Sequence, residues 1–228
     1  MRMSLARRLV LRSVVVFCLG AAMLFLPAGS LRFWQGWILL ALAFVMMVWF
    51  SLHFYHTDPA FLERRLRSKE TIPEQRILMN IWGTLFIVAF LLPRFDYRFG
   101  WSRRWVGAVP LWLNVLAMAT ILAGYGLIGR AFRVNRFASR TVDVDEGQNV
   151  VSTGPYRFIR HPQYCFLLPI MLSIPLALGS FVALPVFALM IPMIILRLLN
   201  EEKFLREHLP GYREYCEQTR YRLVPGVW

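Results

Sequence analysis

The sequence predicts an all-α fold, a polytopic membrane helix bundle of about six transmembrane helices, and three observations predict it. Of its 228 residues, 57% are hydrophobic and the mean hydropathy is +0.49, whereas soluble domains are about 45–50% apolar. Five stretches lack Asp, Glu, Lys and Arg altogether: Ser13–Leu31, Phe33–Thr57, Ile77–Pro93, Trp105–Gly129 and His161–Leu196. A spanning helix needs roughly 20 mostly apolar residues. Finally, the basic residues fall on one side. With the amino terminus inside, 21 of the 26 Lys and Arg lie in cytoplasmic segments, the bias of the positive-inside rule.

Ser13–Leu31 is too long, and too poor in a cleavable small-residue motif, for a secretory signal, so it reads as the first span. Phe33–Thr57 is the second and ends on His53 and His56, which suit a polar interfacial cap. The connector Asp58–Leu66 puts Phe61, Leu62 and Leu66 on one helical face, as a helix lying along the interface would. Ile77–Pro93 and Trp105–Gly129 follow. Between them the segment 94–104 holds Arg94, Arg98, Arg103 and Arg104 on the outer side. It dissents from the charge rule, either as a re-entrant or interfacial loop or because one crossing is misplaced. Trp34, Trp37, Tyr55, Trp101 and Trp105 suit an aromatic belt. His161–Leu196 is long enough for two short crossings, with Leu178-Gly179-Ser180 as the turn between them.

The chain changes character near residue 130. Residues 1–129 are the hydrophobic helices, and 130–228 form a second part in which cytoplasmic loop, membrane hairpin and C-terminal helices alternate. The loop carries Asp143, Asp145 and Glu146 among short valine runs and reads as solvated irregular or hairpin structure. After the hairpin, Asn200–Gln218 reads as a helix leaving the membrane, broken at Pro210-Gly211, then a second short helix. The tail from Tyr221 to Trp228 is extended and free to fold back. Both termini are expected in the cytoplasm, and the membrane to be a bacterial-type inner membrane.

The net charge of +13 serves topology and lipid headgroups, so no nucleic-acid partner is expected. Cys18, Cys165 and Cys216 are an odd number at unpaired spacing, which argues against disulfides and a zinc site; no metal is expected. Gly124-Tyr125-Gly126-Leu127-Ile128-Gly129 matches G-x-G-x-x-G, but a phosphate loop needs a preceding strand. Here the glycines close an apolar helix and read as a packing face.

Two motifs carry chemistry. In Gly154-Pro155-Tyr156-Arg157-Phe158-Ile159-Arg160-His161-Pro162-Gln163-Tyr164, each proline biases its predecessor away from helix. The prolines thus frame a fixed corner where the chain enters the membrane. That corner aims Tyr156, His161 and Tyr164 and offers backbone donors at a helix amino end, where an anion is favoured. A re-entry turn with snorkelling arginines fits the same residues. In the second motif Arg197 and Glu201 are four apart on one helical face, with Glu202 beside them. An exposed pair of this kind contributes only a few tenths of a kcal/mol. At a membrane boundary, though, such residues mark ligand sites: the carboxylate suits a sulfonium or an adenosine, and Arg197 an acidic acceptor.

The two strings, with the later Gly211-Tyr212 and Tyr215, resemble the isoprenylcysteine carboxyl methyltransferase family of integral-membrane, S-adenosylmethionine-dependent enzymes. The likeness covers about residues 130–228 well and the rest in general plan. It implies a cytoplasmic cofactor-binding part in which Gln148, Val150, Val151, Tyr156, His161, Pro162, Gln163, Tyr164, Glu201 and Glu202 hold S-adenosylmethionine. It also implies that Arg197 faces the acceptor, Arg197 and Glu201 being the catalytic pair. The acceptor is then lipophilic or small and most resembles an isoprenylcysteine carboxylate. Thiol S-methylation and phospholipid N-methylation are alternatives, as are an NADPH-dependent membrane reductase and a non-enzymatic transporter or accessory protein. Membrane lipids are the expected surroundings.

Overall fold

A computed structural model describes residues 5–66, 73–137, 144 and 147–228, with the backbone alone at 64, 66, 73–76 and 78. The expected loop residues Val142, Asp143, Asp145 and Glu146 lie outside the described residues. Among the described residues every regular element is helical.

The first half is three long helices and a short one: α1 (Leu5–Ala28), α2 (Trp34–Thr57), α3 (Pro59–Leu66) and α4 (Pro73–Phe99). Five helical stretches are long and apolar enough to cross a membrane: Leu5–Ala28, Trp34–Thr57, Met79–Phe99, Leu111–Val134 and Leu184–His208, with Pro162–Ala177 as a shorter apolar helix. That accounts for the bundle of about six. The outward faces of α1 and α2 leave Val10, Val14, Leu19, Val45 and Leu52 exposed, as lipid-facing positions require. Helix α3 forms at the expected connector. The Phe61 amide donates to Asp58 Oδ1 at 3.0 Å, which caps the helix, and Phe61 and Leu62 are buried against Phe54 and Phe132.

The 94–104 segment departs from the expected loop. Helix α4 runs through Pro93 to Phe99, and after Gly100, at φ +70°, the one-turn α5 (Trp101–Trp105) follows. Arg94 is therefore inside the bundle and fully buried, its guanidinium 3.5 Å from the centre of the Phe90 ring. Asp96 is buried with it and accepts from the Ser102 amide at 2.6 Å and from the hydroxyls of Ser102 and Ser180. The Ser102 oxygen accepts in turn from the amides of Phe181 and Val182. One carboxylate thus joins α4, α5 and the turn after α7.

Helices α6 (Leu111–Val134) and α7 (Pro162–Ala177) form the closest pair. Gly124 of the glycine string lets them approach. A Cβ on Gly124 would lie 2.6 Å from Ile170 Cγ1, and one on Gly129 would lie 3.3 Å from Trp49. Gly124 and Gly129 of the G-x-G-x-x-G string are packing positions, against α7 and α2, while a Cβ on Gly126 would meet nothing within 4 Å. Gly179, at φ +76°, turns the chain after α7 into α8 (Leu184–Ala188) and α9 (Met190–His208). Gly211, at φ +80°, breaks α9 from α10 (Tyr212–Gln218), as Pro210-Gly211 predicts. The main core lies where α1, α2, α4, α6, α7 and α9 meet, around Phe33, Ile121, Ile170, Met171, Phe187 and Met190.

Candidate active site

The Pro155–Pro162 corner exists. Gly154–Arg157 makes one 3-10 turn, and α7 starts at Pro162 with His161 as its cap residue at φ −125°. The amides of the corner do not wait for an anion, however. Arg160 N–H donates to the Tyr221 carbonyl at 2.9 Å and His161 N–H to the Arg222 carbonyl at 3.0 Å, while Arg160 Nη2 donates to the Arg220 carbonyl at 2.9 Å. The tail has folded back onto the corner and takes up these three donors, as buried backbone groups ordinarily require.

Below the corner the two adjacent glutamates diverge, because neighbours on a helix point about 100° apart. Glu202 is buried and ringed by three arginines and a histidine: Arg222 Nε at 2.9 Å, Arg160 Nη1 at 3.1 Å, His161 Nε2 at 3.3 Å and Arg206 Nη2 at 3.4 Å. It therefore locks the corner, α9 and the tail together. Glu201 turns the other way. Its Oε2 accepts from the Tyr164 hydroxyl at 2.7 Å, and that hydroxyl accepts from Arg197 Nε at 3.1 Å. Tyr164 on α7 thus bridges the Arg197–Glu201 pair, which sits on successive turns of α9.

Two cavities flank this bridge. The smaller, about 60 Å³, has a polar lining that includes Gln148, Tyr156, His161, Gln163, Glu201 and Tyr212, with Val150 and Val151 beside them. Of the residues expected to hold the cofactor, Gln148, Val150, Val151, Tyr156, His161, Gln163 and Glu201 come together here, whereas Pro162 serves the corner, Tyr164 the bridge and Glu202 the ion cluster. Tyr156 is fixed from both ends: its hydroxyl donates to Gln163 Oε1 at 3.1 Å, and its carbonyl accepts from the Tyr215 hydroxyl at 2.7 Å. Burial first of all raises the phenol pKa of Tyr156, Tyr212 and Tyr215 well above the ordinary value, so they stay neutral hydrogen-bonding groups. Among the described residues the buried Tyr212 hydroxyl has no hydrogen-bond partner.

The larger cavity, about 560 Å³, lies within the bundle and is mostly apolar, walled by Met46, Met47, Trp49, Phe132, Leu167 and Met193 among others. Gln163 lines both cavities. Tyr164 and Arg197 line the larger one. A third, apolar space of about 250 Å³ continues it past Val16, Ala43, Met46, Met47 and Tyr125.

Several of these parts escape sequence reasoning. Asn135, Asn149, Leu205 and Leu209 also line the polar cavity, Arg160 and Arg222 complete the ion cluster, and Arg65 lines the apolar cavity. Arg160 lies in the corner motif and was open to discovery. Arg222 was not, since nothing in an extended tail states its register.

A model of the family described as phospholipid methyltransferase matches residues 112–210, the stretch from α6 to the end of α9. The chain is also 32% identical over 173 residues to the cobalt-zinc-cadmium resistance protein CzcN of Cupriavidus metallidurans, covering 72% of this chain and 69% of that protein. The chain belongs to the phospholipid methyltransferase family, in the isoprenylcysteine carboxyl methyltransferase-like superfamily of membrane-embedded, S-adenosylmethionine-dependent enzymes.

Proposed function

We propose that this protein moves a methyl group from S-adenosylmethionine, held in the polar cavity, to a lipophilic acceptor seated in the apolar one. The observation that carries the reading is the junction: two cavities of opposite character meet at Gln163 and are bridged by Tyr164 between Arg197 and Glu201. The polar lining fits the cofactor chemically. Amides of Asn135, Gln148, Asn149 and Gln163 can pair with a purine edge and ribose hydroxyls. Glu201 offers a carboxylate to a cation, and the unpartnered Tyr212 hydroxyl is an orphaned polar group that a ligand would satisfy. The space is small beside the roughly 300–1,000 Å³ of ordinary ligand pockets, so binding requires the walls carrying Gln148 and Tyr212 to separate.

When bound, the cofactor supplies a methyl group on a positively charged sulfur, open to displacement by a nucleophile in line with the breaking bond. The chain's own work is positional. Tyr164 fixes Glu201 and Arg197 relative to one another, Glu201 opposes the sulfonium charge, and Arg197 orients the acceptor at the wall. The apolar cavity keeps water away from the reacting atoms. We assign Glu202 to holding Arg160 and His161 in place, one step removed from the ligand. An isoprenylcysteine-like carboxylate is the acceptor that an arginine at this wall suits best. The enzyme would work at the cytoplasmic face of an inner membrane, where most of the basic residues gather.

The test is equilibrium binding of S-adenosylhomocysteine to the purified protein in detergent, read as a rise in thermal stability, since a ligand bound only to the folded state stabilises it. His161→Ala and Glu201→Ala should each weaken binding by about 1–3 kcal/mol, and His53→Ala should not. A shift with NADPH and none with S-adenosylhomocysteine would sink the reading. The acceptor class follows from a pH–rate profile. A carboxylate is already ionised, so the rate should stay nearly flat between about pH 6.5 and 8.5. A thiol or amine must first lose a proton, and its rate would climb.

A further inference from the structure

We infer that a stacked row of side chains along α4, ended by Phe90 on Arg94, is the floor that limits how long a hydrocarbon chain the acceptor can carry. The inference rests on the methyl-transfer reading and narrows its acceptor by chain length, whatever the charge of the reacting end.

The row follows from spacing. Trp82, Phe86, Phe90 and Arg94 recur every four residues and so share one face of α4. The rings stack in order. Trp82 and Phe86 have centres 5.4 Å apart and planes 17° apart, and Phe86 and Phe90 follow at 5.6 Å and 18°. The Arg94 guanidinium ends the row, 3.5 Å from the centre of the Phe90 ring. Trp82 lines the 560 Å³ cavity at the junction, whereas Phe86 and Phe90 line the 250 Å³ space that continues it. The row therefore passes from one space into the other, with a rise of about 12 Å between Trp82 and Phe90.

A floor must not yield, and Phe90 is fixed. It is held between Phe86 one turn before it and Arg94 one turn after. Arg94 is fully buried, and among the described residues none of its three guanidinium nitrogens has a hydrogen-bond partner. The Phe90 ring is what offsets that burial. A chain that pushed the ring aside would strip a buried cation of its contact, which is costly. Leu24, Leu39, Leu40, Ile121 and Ile174 wall the same space and belong to the buried core, so it cannot widen there without disturbing close packing. Helix α4 also lies outside residues 112–210 that match the family. Length selection thus belongs to this chain's own first half, apart from the shared stretch.

The experiment uses the full chain in one detergent and reads displacement of tritiated decanol by unlabelled straight-chain alcohols from octanol to octadecanol. Neutral heads keep charge out of the comparison. The ratio of variant to wild-type affinity at each length cancels partition into micelles. Phe90→Ala should leave alcohols below the wild-type limit within about twofold. Those beyond it should bind about tenfold more tightly or better, as two newly buried methylenes at about fourfold each would give. Phe90→Trp, which keeps a ring over Arg94, should lower the limit. Met47→Ala, in the wall shared by both spaces, should change all lengths alike and leave the limit in place. If Phe90→Ala elutes aggregated, Phe90→Leu takes its place and should raise the limit by less. Equal weakening at every length in the Phe90 variants would make the ring merely structural and overturn the inference. So would a wild type with no limit, its chains slipping out past the exposed Val16 and Leu122. S-adenosylhomocysteine binding is measured in parallel. If it is intact while decanol does not bind or length selection ignores Phe90, this inference fails alone; if it is absent in wild type, the methyl-transfer reading fails on its own account.

Discussion

Two buried carboxylates close the two ends of this bundle, and they are built in opposite ways. Glu202 at the end of α9 is neutralised by charge: three guanidiniums and an imidazole within 3.4 Å. Asp96 at the end of α4 is held by neutral donors, the Ser102 amide and the hydroxyls of Ser102 and Ser180. The polar cavity shares its His161 and Arg160 walls with the first knot, whereas no cavity described above reaches Asp96. A charged knot is costly to desolvate and holds only when every partner is present. It fits a place where distant segments must be brought into register beside a polar cavity. A hydroxyl knot has less at stake, and serves where helices merely need to be joined.

The largest expected effect is at Glu202. Glu202→Gln leaves Arg160, with 5% of its side chain exposed, buried without its counter-charge. Loss of one member of a buried ion cluster costs about 3–5 kcal/mol, read as a fall in denaturation midpoint in detergent. Cofactor affinity should fall with it, because the corner loosens. Asp96→Asn should be milder, about 1–3 kcal/mol, since the amide keeps one acceptor and serine hydroxyls can turn to meet its donors. S-adenosylhomocysteine affinity should stay within about twofold, as a site one bundle length away requires. Equal loss of affinity in the two variants would show that the knots do not divide the work as described.

The contrast also sets what could be read in the sequence. Helices and spans were legible because their apolar runs are local and long. The geometry of the 154–164 corner and the meeting of Arg197 with Glu201 were legible because proline geometry and i, i+4 spacing are local too. The knots are not local. Arg222 reaches Glu202 through a tail pairing with residues 160 and 161, and no periodicity announces that register. Ser102 and Ser180 look like any loop serines until the fold sets them on Asp96. Arginines misled in both directions. Arg94 read as loop and is covered by Phe90 inside α4. Arg65 read as a topological charge, and it lines a cavity. The pair Glu201 and Glu202 read as one ligand set, until burial showed that only Glu201 faces the cavity and Glu202 faces the cations.

A third variant sharpens the division at the site itself. Tyr164→Phe removes the hydroxyl joining Arg197 to Glu201 and leaves the ring in place. Stability should move by about 1 kcal/mol or less, because the hydroxyl alone is lost and both knots remain. Cofactor affinity should fall by about 1–2 kcal/mol, the worth of a hydrogen bond to a charged group, because Glu201 is no longer held. Turnover should fall further still, since Arg197 loses its orientation as well. If Tyr164→Phe destabilised the fold as much as Glu202→Gln, the bridge would belong to the scaffold and not to the site.

The smallest effect separates the partners within the charged knot. Arg206 approaches Glu202 at 3.4 Å with 42% of its side chain exposed, while Arg160 approaches at 3.1 Å with 5% exposed. Water and ions reach the first pair and not the second. An exposed pair is worth about 0–1 kcal/mol and is screened by salt, so Arg206→Ala should lower stability by less than about 1 kcal/mol, and that loss should vanish near 1 M salt. Arg160→Met should cost several times more and should persist in salt, because its charge is enclosed with the carboxylate and its amide side of the corner is tied to the tail. Denaturation midpoints of both variants at low and high salt decide it. Equal, salt-sensitive losses would mean that the knot is a surface network, open to water, and the case for Glu202 as the buried lock of the site would fall with it.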